Sequence, residues 1–355
     1  MDRLRMLFLP PVDTANLNAQ SLNVREIALR LDPERFQATL WCEHDPDPRL
    51  REKDWIHIKR LPEHRRTVHI LAEMISGYDV IAYMDYSPAS YIFVRLPRML
   101  RGGAKAVLHA EGIQELANTS RMFRFLYRGV CARCDSYTGI TQFVAEDVHK
   151  KLGKKVCHIL PVGVDTNFFT PPRARQNAVP VILFAGAVVE RKGPQFVLDA
   201  ASRFPDARFR IVGAARESFD EVLRQKIVQL DLQNVTLEGP KTQAELREIM
   251  RSSDIFLLPS RLEGMPKVSL EAAATGLPCV VFSNYQTPSV VHGVTGFQVG
   301  TTQEMVEALG RLIVDRSLRD QMGRHARTHA EQFSWDAIVP EWQKAYLEIA
   351  AQTSI

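Results

Sequence analysis

Short runs rich in β-branched and other apolar residues alternate with longer amphipathic segments along the chain. In the first half these runs are RMLFLP, QATLWCE, WIHIKR, DVIAYM, AKAVLHA, SYTGIT and VCHILPV, and in the second half VILFAG, FRIVG, VTLEG, IFLLPS, LPCVVF and FQVG. Strands that alternate with helices build parallel sheets covered by helices on both faces. The pattern therefore predicts the α/β class, with doubly wound parallel sheets.

One segment, PVGVDTNFFTPPRARQNAVP (161–180), interrupts this alternation with four prolines and no periodicity. The 355 residues of the chain also exceed the roughly 250 to 300 residues at which a single core stops growing. We predict an N-terminal Rossmann-like domain over 1–165, a linker over 166–178 and a C-terminal Rossmann-like domain over 179–333. Such sheets bind ligands beyond the carboxyl ends of their strands, so we expect binding in a cleft between the domains.

The last segment, FSWDAIVPEWQKAYLEIA, carries large apolar side chains at helical spacing despite Pro340. It predicts a terminal helix within 334–355. We expect this helix to lie across both domains and to pack back on the N-terminal one.

The formal net charge of +4 falls entirely in residues 1–170, which hold 24 Lys and Arg against 20 Asp and Glu. Part of the excess is clustered in VRLPRMLRGGAK (94–105) and in RMFRFLYR (121–128). Arg121, Arg124 and Arg128 recur there at helical spacing among aromatic residues. Two interpretations stay open, a solvated helix face and a surface for anionic lipid head groups.

The stretch MDRLRMLFLPPVDT is typical of a first strand rather than a signal peptide, because its apolar part is short and ends at two prolines. No apolar run approaches the roughly 18 residues of a membrane-spanning helix. Five cysteines spread over the chain favour a reducing compartment over a disulfide framework. We therefore expect a cytoplasmic protein, with any peripheral contact at the inner face of the membrane.

The segment LFAGAVVERKGPQFVLDA (183–200) begins as an apolar strand, passes Gly186 and reaches Lys192 just before a helix. In α/β proteins, a strand, a turn with Gly, a basic side chain and a helix N-terminus together hold phosphate. The segment is not a Walker loop, and the chain contains no GxGxxG, which counts against a dinucleotide dehydrogenase. By itself, Lys192 also fits a solvated surface lysine.

Two acids bracket the start of a predicted helix in SRLEGMPKVSLEAAATGLPCVVF (260–282). Glu263 follows the apolar strand IFLLPS, and Glu271 lies one to two turns into a helix that begins near Pro266. In the alternative interpretation Glu263 is an exposed loop acid. Glu271, placed off the packed face, would then form a surface pair with Lys267.

The spacing of Glu263 and Glu271, followed by AAATGLPCVV, resembles the donor-binding signature of retaining glycosyltransferases with the GT-B fold, specifically glycosyltransferase family 4. PVGVDTNFFTP (161–171) is similar to the family's Asn-Gly-Val-Asp segment, with Val162 in place of Asn. FAGAVVERKG is similar to its Gly-Arg-Leu-x-x-x-Lys-Gly loop, and SSDIFLLPS, GVTGFQV and FSWDAI resemble later landmarks. The resemblance covers most of the chain and implies two Rossmann-like domains facing a central cleft. The N-terminal domain would bind the acceptor, and the C-terminal domain would bind the nucleotide-sugar donor.

The resemblance also implies a role for each residue of these motifs. Glu271 would accept hydrogen bonds from the ribose hydroxyls of a nucleotide-sugar donor, and Glu263 would contact the transferred sugar. Lys192 would neutralise the diphosphate. The backbone of the helix start would face the sugar or the β-phosphate; it comprises Gly264, Met265, Pro266 and Lys267. Carboxylates would thus bind hydroxyl groups while the N–H groups between them bind phosphate oxygens.

The sequence departs from the family pattern in both halves. Ala187, after Gly186, stands where the family has Arg, so Arg191 or Arg216 would supply the missing cation. PPVDTANLNAQS replaces a glycine-rich loop, and there Asn16 and Asn18 either line the cleft or cap a helix. In AVLHAEG, His109 or Glu111 takes the place of the family's N-domain histidine, and a buried structural His109 is a third interpretation.

We therefore predict a retaining glycosyltransferase that needs no metal or other cofactor, with Lys192, Glu263 and either His109 or Glu111 as catalytic residues. Lys192 and the helix N-terminus would stabilise the charge on the leaving diphosphate. The predicted donor is a UDP- or GDP-type sugar nucleotide carrying a hexose, and the acceptor is a glycan, a lipid-linked molecule or a small molecule, as in polysaccharide biosynthesis. Nucleic acid is not an expected partner. A sugar-nucleotide epimerase and a noncatalytic nucleotide-sugar-binding protein stay open.

Overall fold

The computed structural model describes residues 2–13, 19–62, 64, 66–74, 76–83, 104–113, 120–131, 133–175, 177–216 and 218–352. The chain divides into two compact units. Unit 1 comprises residues 1–162 and 335–355, and unit 2 comprises residues 163–334. Each unit contains one parallel sheet, and every run predicted above to be a strand is a strand in the structure.

The strands of unit 1 are β1 (Leu4–Pro11), β2 (Phe36–Cys42), β3 (Ile56–Arg60), β4 (Val80–Tyr83), β5 (Lys105–Ala110), β6 (Ser136–Gly139) and β7 (His158–Ile159). They lie in the order β3-β2-β1-β4-β5-β6-β7, with every neighbouring pair parallel. The order reverses direction between β1 and β4. Strands β4 and β5 are buried along their whole lengths, as expected of central strands covered on both faces.

In the described ranges, the helices that precede β7 belong to unit 1. They are α1 (Ala19–Ala28), α2 (Pro48–Arg51), α3 (Arg66–Met74), α4 (Arg121–Cys131) and α5 (Gln142–Leu152). Helix α5 shows why such segments begin and end where they do. The Thr141 side chain accepts a hydrogen bond from the Val144 N–H at its start, and Gly153 takes the left-handed conformation with φ 64° at its end.

Unit 2 repeats the alternation with six strands. They are β8 (Val181–Ala185), β9 (Arg208–Val212), β10 (Val235–Gly239), β11 (Ile255–Leu258), β12 (Cys279–Phe282) and β13 (Gly296–Val299). Its helices are α6 (Pro194–Ala201), α7 (Phe219–Gln229), α8 (Gln243–Arg251), α9 (Lys267–Ala274), α10 (Thr302–Val314) and α11 (Arg316–Glu331). The strand order β10-β9-β8-β11-β12-β13 reverses between β8 and β11. In open α/β sheets, the carboxyl ends of two such strands form a ligand-binding crevice.

The last helix, α12 (Trp335–Ala351), belongs to unit 1. Its predicted apolar stripe is buried in the core of this unit; the stripe consists of Trp335, Ile338, Val339, Trp342, Tyr346 and Ile349. Pro340 lies inside the helix, and the indole N–H of Trp342 donates to the carbonyl oxygen of Pro161 at 3.1 Å. Among the described helices, including this 17-residue one, none is long and apolar enough to cross a membrane.

Two arginines fix the segment after residue 162 to unit 2. The Arg327 guanidinium donates to the carbonyl oxygens of Thr166 and Phe169, at 3.0 and 2.9 Å. Arg175 donates to the carbonyl oxygens of Thr275 and Gly276, at 2.6 and 3.0 Å, just beyond α9. The chain therefore passes between the units at residues 162–163 and 334–335, and the segment predicted as a linker lies within unit 2.

Candidate active site

The loops that follow β8 and β11 run side by side at the point where the strand order of unit 2 reverses. The Arg261 N–H donates to the carbonyl oxygen of Arg191 at 2.9 Å, and the Ser260 hydroxyl donates to that of Lys192 at 3.4 Å. The first loop ends in a 3₁₀ turn over Glu190–Lys192, and Gly193 then starts α6. The two motifs that the sequence singled out, about 70 residues apart, thus form one site.

A short ion pair joins these loops. Lys192 Nζ lies 2.5 Å from Glu263 Oε1, and the two side chains are only 16% and 10% exposed. The Arg191 guanidinium lies 3.8 Å from the same carboxylate oxygen and donates to the Leu262 carbonyl oxygen at 2.6 Å. The carboxylate holds Lys192 in one position at the edge of the sheet. The interpretations of Lys192 as a solvated lysine and of Glu263 as an exposed loop acid are therefore wrong.

The N-terminus of α9 offers backbone donors next to this ion pair. Pro266 occupies the N-cap position, and no side chain caps the helix there. Gly264 and Met265 are buried, yet in the described part of the chain their N–H groups find no acceptor. Unpaired N–H groups at the positive end of a helix dipole attract anions. The start of α9 therefore has the geometry of an anion-binding site, and the binding role predicted for Gly264 to Lys267 stays a prediction.

Three buried hydroxyl groups, hydrogen-bonded in series, fix the start of α9. The Ser269 hydroxyl donates to the carbonyl oxygen of Pro266 at 2.6 Å and lies 2.7 Å from the Ser289 hydroxyl, which lies 2.8 Å from that of Thr287. Since the Ser269 hydrogen points to Pro266, Ser289 donates to Ser269 and Thr287 donates to Ser289. Ser269 therefore holds the carbonyl of Pro266, and the loop after β12 holds the hydroxyl of Ser269.

Glu271 lies on α9 with 7% of its surface exposed. Burial raises the pKa of its carboxyl group to about 7, and the positive charge of Lys267 opposes this rise. The interpretation of Glu271 as a surface acid off the packed face is wrong, because the residue packs within unit 2. A buried carboxyl group one turn from unpaired N–H groups is suited to accept hydrogen bonds from a ligand's hydroxyl groups.

Three further predicted donor-binding residues lie on the same edge of the sheet. Ala187, after Gly186, is partly exposed and supplies no charge there. Arg191 lies beside Glu263, as described above, and the Arg216 N–H donates to the carbonyl oxygen of Val188 at 3.3 Å, so that Arg216 lies exposed beside the β8 loop. Of the two arginines named as substitutes for the missing cation, Arg216 therefore contacts the backbone one residue after Ala187, and Arg191 is the one near the ion pair.

His109 lies on β5 in the interior of unit 1, with no exposed surface. Its Nδ1 lies 2.5 Å from the Thr138 hydroxyl, its Nε2 lies 3.1 Å from the Tyr346 hydroxyl, and its ring packs against Trp342. Burial lowers the pKa of the imidazole to about 3, which keeps it neutral at physiological pH. This placement supports the interpretation of His109 as a structural histidine and argues against contact with a substrate.

Glu111 follows β5 directly, at the carboxyl edge of the unit 1 sheet, and is half-buried. The side-chain amide of Asn23 on α1 donates to its Oε1 at 2.9 Å, which fixes the carboxylate. Of the two residues proposed for this position, only Glu111 lies at the carboxyl edge of the sheet and is partly exposed, and its functional role stays a prediction. Asn16 and Asn18 lie outside the described residues, as does most of the basic segment 94–105.

Sequence reasoning missed three residues at the carboxyl edge of unit 2. Arg261 pairs with Glu190 at 3.2 Å, and the side-chain amide of Asn284, after β12, donates to the Arg261 carbonyl oxygen. Tyr285 is fully buried, and in the described part of the chain its hydroxyl has no hydrogen-bond partner. Burial raises the pKa of this phenol, and the charge of Glu263 adds to the rise. In the sequence, the one feature that indicates these three residues is that each follows an apolar strand, β11 or β12.

Carboxylates of unit 1 that suggest a metal site have structural partners. The chain contains an Asp-x-Asp triplet at Asp45 to Asp47, but Asp47 caps α2 and pairs with Arg49 at 2.7 Å. Asp13 lies near Glu43 and His44, and its carboxylate accepts hydrogen bonds from the N–H groups of both, at 2.8 to 3.1 Å. Both acids therefore anchor turns of the backbone.

The close approach of the two loops in unit 2 depends on Gly193. Its φ is 75°, and a methyl group there would lie 2.0 Å from the carbonyl oxygen of Pro259. We expect Gly193→Ala to lower the free energy of unfolding by about 2 to 4 kcal/mol, because strain adds to steric overlap. Urea unfolding followed by circular dichroism measures this change.

Gly239→Ala is the matched control for this substitution. Gly239 has a similar φ of 67°, but a methyl group there would meet no described atom within 4 Å. It should cost about 1 kcal/mol, the price of the left-handed conformation alone. Equal losses in the two variants would show that the contact between the loops is not constrained by Gly193.

Two family models match the chain. The model described as Glycosyltransferase Family 4 matches residues 21–168, and the one described as Glycosyl transferases group 1 matches residues 166–329. Among curated relatives, the D-inositol 3-phosphate glycosyltransferase of Corynebacterium jeikeium is 32% identical over 215 residues, which are 54% of this chain and 51% of that protein. The chain thus spans about half the length of the first curated relatives it matches.

A second relative matches over more of its length. The GDP-mannose-dependent monoacylated alpha-(1-6)-phosphatidylinositol monomannoside mannosyltransferase of Corynebacterium glutamicum is 26% identical over 296 residues, which are 76% of this chain and 77% of that protein. The crystal structure of Anabaena HepE in complex with UDP has a TM-score of 0.79, with 18% identity, over 98% of this chain and 100% of that one. The predicted fold class, two Rossmann-like units of GT-B type, is confirmed. Matched by the two family models from residue 21 to residue 329, the chain belongs to glycosyltransferase family 4.

Proposed function

We propose that the protein is a retaining, metal-independent glycosyltransferase that moves a hexose-type sugar from a nucleoside diphosphate to an acceptor hydroxyl. One observation carries this proposal. Lys192, its partner Glu263 and the unpaired N–H groups before α9 meet where the strand order of unit 2 reverses. Cationic, anionic and backbone donor groups are then all within one site, which is what a phosphorylated sugar requires.

Departure of the diphosphate is the step for which this site is best suited. As the bond to the sugar breaks, negative charge develops on the phosphate oxygens, and fixed positive groups stabilise it. Lys192 and the N–H groups of Gly264 and Met265 supply that potential, with Arg191 beside them. When the Lys192 ammonium group pairs with the diphosphate, it leaves the carboxylate of Glu263. That carboxylate can then accept hydrogen bonds from the hydroxyl groups of the sugar. These side chains supply the charge that a metal ion provides elsewhere.

Glu271 would bind the ribose of the donor in this mechanism. Its buried carboxylate lies on the helix whose N-terminus faces the phosphates, so both contacts come from one rigid element. A vicinal diol can donate two hydrogen bonds to one carboxylate, and hydrogen bonds to a charged group contribute about 1.5 to 3 kcal/mol each. This residue would therefore contribute to nucleotide affinity more than to the chemical step.

The bond between the sugar and the diphosphate oxygen would break, and the acceptor hydroxyl would attack from the same side, through an oxocarbenium-like state. Its proton would pass to the departing diphosphate, and the anomeric configuration would be retained. Of the residues of unit 1, Glu111 is the one we assign to the acceptor side, because His109 is buried. The names of the related proteins support a UDP- or GDP-type donor and an acylated acceptor. We propose a glycan or lipid-linked acceptor, used in polysaccharide biosynthesis in the cytoplasm at the inner face of the membrane.

Thermal-shift measurements with UDP, GDP, ADP and TDP test the nucleotide site first. One of the four should raise the melting temperature by mass action, since it binds the folded state alone. The corresponding sugar nucleotide, incubated with acceptor and EDTA, should then release the nucleotide and give a product with the donor's anomeric configuration by NMR. Conversion of the donor to an epimer without acceptor, or binding without release, would replace this proposal with one of its two alternatives.

A further inference from the structure

Helix α4 of unit 1 presents large apolar and basic side chains on one outer surface. Met122 is 66% exposed and Phe125 is 74% exposed, although both are large and apolar. Arg121 and Arg128 are exposed as well. We call these four residues the α4 face. Most soluble helices turn such apolar side chains inward, so two of them on one exposed surface suggest that something covers it.

The α4 face is continuous, and its opposite side is packed. At about 100° per residue, Arg128, Arg121, Phe125 and Met122 follow one another around the helix within an arc of about 120°. Tyr127 points the other way and is 3% exposed, and Phe123 stacks on it with ring centres 6.3 Å apart. The inner side of α4 is therefore packed in unit 1, so the exposure of Met122 and Phe125 does not come from a helix detached from the rest of the unit.

The charge of the α4 face is positive. Across the described parts of the chain, no carboxylate pairs with Arg121 or Arg128, in contrast to Arg25, Arg30 and Arg49 of the same unit. Arginines beside exposed aromatic and methionine side chains match a surface with anionic head groups and an apolar interior. An exposed phenylalanine would enter the acyl region while the guanidinium groups stay at the phosphates.

Chain order relates the α4 face to the carboxyl edge of the unit 1 sheet. Ser120 caps the helix start, where its hydroxyl accepts a hydrogen bond from the Phe123 N–H at 3.1 Å. The helix is the next described one after β5 in the chain, and a segment that follows a parallel strand leaves the sheet from its carboxyl edge. Met122 and Phe125 belong to the first turns of α4. A surface bound there would bring a lipid-linked acceptor toward the carboxyl edge of this sheet.

We propose that the α4 face binds the surface of an anionic phospholipid bilayer. The biological purpose of this binding, the supply of a lipid-linked acceptor, rests on the proposed function. The binding itself requires neither donor nor acceptor. Both contributions act together: positive charge attracts the helix to the bilayer, and Phe125 and Met122 hold it there. Binding should therefore weaken as salt rises, because the electrostatic part is screened.

Co-sedimentation with phospholipid vesicles tests this proposal. The full chain is mixed with vesicles of phosphatidylcholine alone or of phosphatidylcholine with phosphatidylglycerol. We expect binding to the anionic vesicles and little to the neutral ones. Met122→Ser with Phe125→Ser should weaken binding about tenfold or more, and Arg121→Glu with Arg128→Glu at least as much, at about fivefold for each positive charge removed.

Matched controls come from unit 2. Val314 is 86% exposed on α10, and Arg224 is exposed on α7, so Val314→Ser and Arg224→Glu change the same kinds of side chain elsewhere. They should leave vesicle binding unchanged. Equal binding to neutral and anionic vesicles, or equal loss in the controls, would overturn the proposal. A shift from dimer to monomer in the Phe125 variant, seen by size-exclusion chromatography, would overturn it in favour of a contact between copies of this chain.

The same variants separate this inference from the proposed function. Their thermal shift with the nucleotide found above should equal that of the wild type, since no α4 residue belongs to the unit 2 site. Vesicle binding that fails while nucleotide binding persists refutes the membrane surface alone. Vesicle binding that persists in a protein that binds no nucleotide supports the surface and refutes the donor site.

Discussion

Lys192→Ala is expected to reduce kcat by about 100- to 1,000-fold, the range observed when one stabilising donor is removed from a developing negative charge. The ammonium group lies 2.5 Å from Glu263 in the free protein and would move to the diphosphate when the donor binds. Its effect is largest when the leaving group carries full charge, so turnover should fall more than donor affinity. Nucleotide release at saturating donor measures kcat, and a thermal shift gives the affinity.

Removal of Lys192 also has a structural cost that the experiment must separate from catalysis. The Glu263 side chain is 10% exposed, and in the part of the chain that the structure describes its carboxylate would keep one ionic partner, Arg191 at 3.8 Å. A partly buried carboxylate left in this state costs about 1 to 3 kcal/mol of stability. Activity should therefore be measured well below the melting temperature of the variant, as determined by circular dichroism.

Lys226→Ala is the matched control for Lys192→Ala. Lys226 on α7 pairs with Asp199 at 2.6 Å, but these side chains are 33% and 40% exposed. The substitution removes a lysine and an ion pair from unit 2 without touching the loops after β8 and β11, and turnover should stay at the wild-type level. Unchanged turnover in Lys192→Ala as well would remove this lysine from the mechanism.

Glu271→Ala is expected to weaken nucleotide binding by about 100-fold, since two hydrogen bonds to a charged group would be lost. Turnover at saturating donor should change much less, because the ribose is far from the bond that breaks. Titration calorimetry with the nucleoside diphosphate measures the Kd. Glu221→Ala on α7, an exposed acid of the same unit, should leave the Kd unchanged. Unaltered affinity in Glu271→Ala would disprove the ribose contact.

The buried position of Glu271 also predicts a pH dependence. Its pKa is raised from 4.5 to about 7 by burial, so between these values the folded protein holds a proton that the unfolded chain has released. Stability should therefore be greatest below pH 4.5 for this group and fall as pH rises toward 7, by up to about 3 kcal/mol. Glu271→Gln cannot titrate, so urea unfolding at pH 5 and pH 8 should show a smaller decrease.

Nucleotide affinity should follow the opposite course in the wild type. Ribose hydroxyls donate to the ionised carboxylate, so the Kd should decrease between pH 6 and pH 8 as Glu271 loses its proton. The Glu271→Gln variant should show a flat profile over the same interval. A wild-type profile equally flat would mean that this carboxyl group is not part of the nucleotide site.

Much of the fold was predictable because parallel strands buried on both faces are written as continuous apolar runs. Strands β4 and β11 are buried at every residue, and each appears in the sequence as such a run. The stripe on α12 was predictable for the same reason, since Trp335, Trp342 and Tyr346 recur at helical spacing. Apolar periodicity reports which side of an element is covered.

The sequence did not predict which residues pack against a given strand or helix. His109 and Glu111 lie two residues apart in one strand and its end, and residue type alone favoured the histidine. The structure surrounds His109 with Thr138 and Tyr346, residues from a neighbouring strand and from the last helix. Its burial depends on contacts over more than 200 positions, which no local pattern contains.

By itself, the sequence determined the α/β class, the strands, and the pair of motifs around Lys192 and Glu263, because spacing and side-chain type act locally. Tertiary structure decided that these motifs meet at 2.5 Å, that Glu271 is buried, and that the N–H groups of Gly264 and Met265 have no acceptor among the described residues. It also decided that Met122 and Phe125 remain exposed. Distance, burial and unmet hydrogen bonds arise only when segments far apart in the chain pack together, and these quantities give charged groups their function.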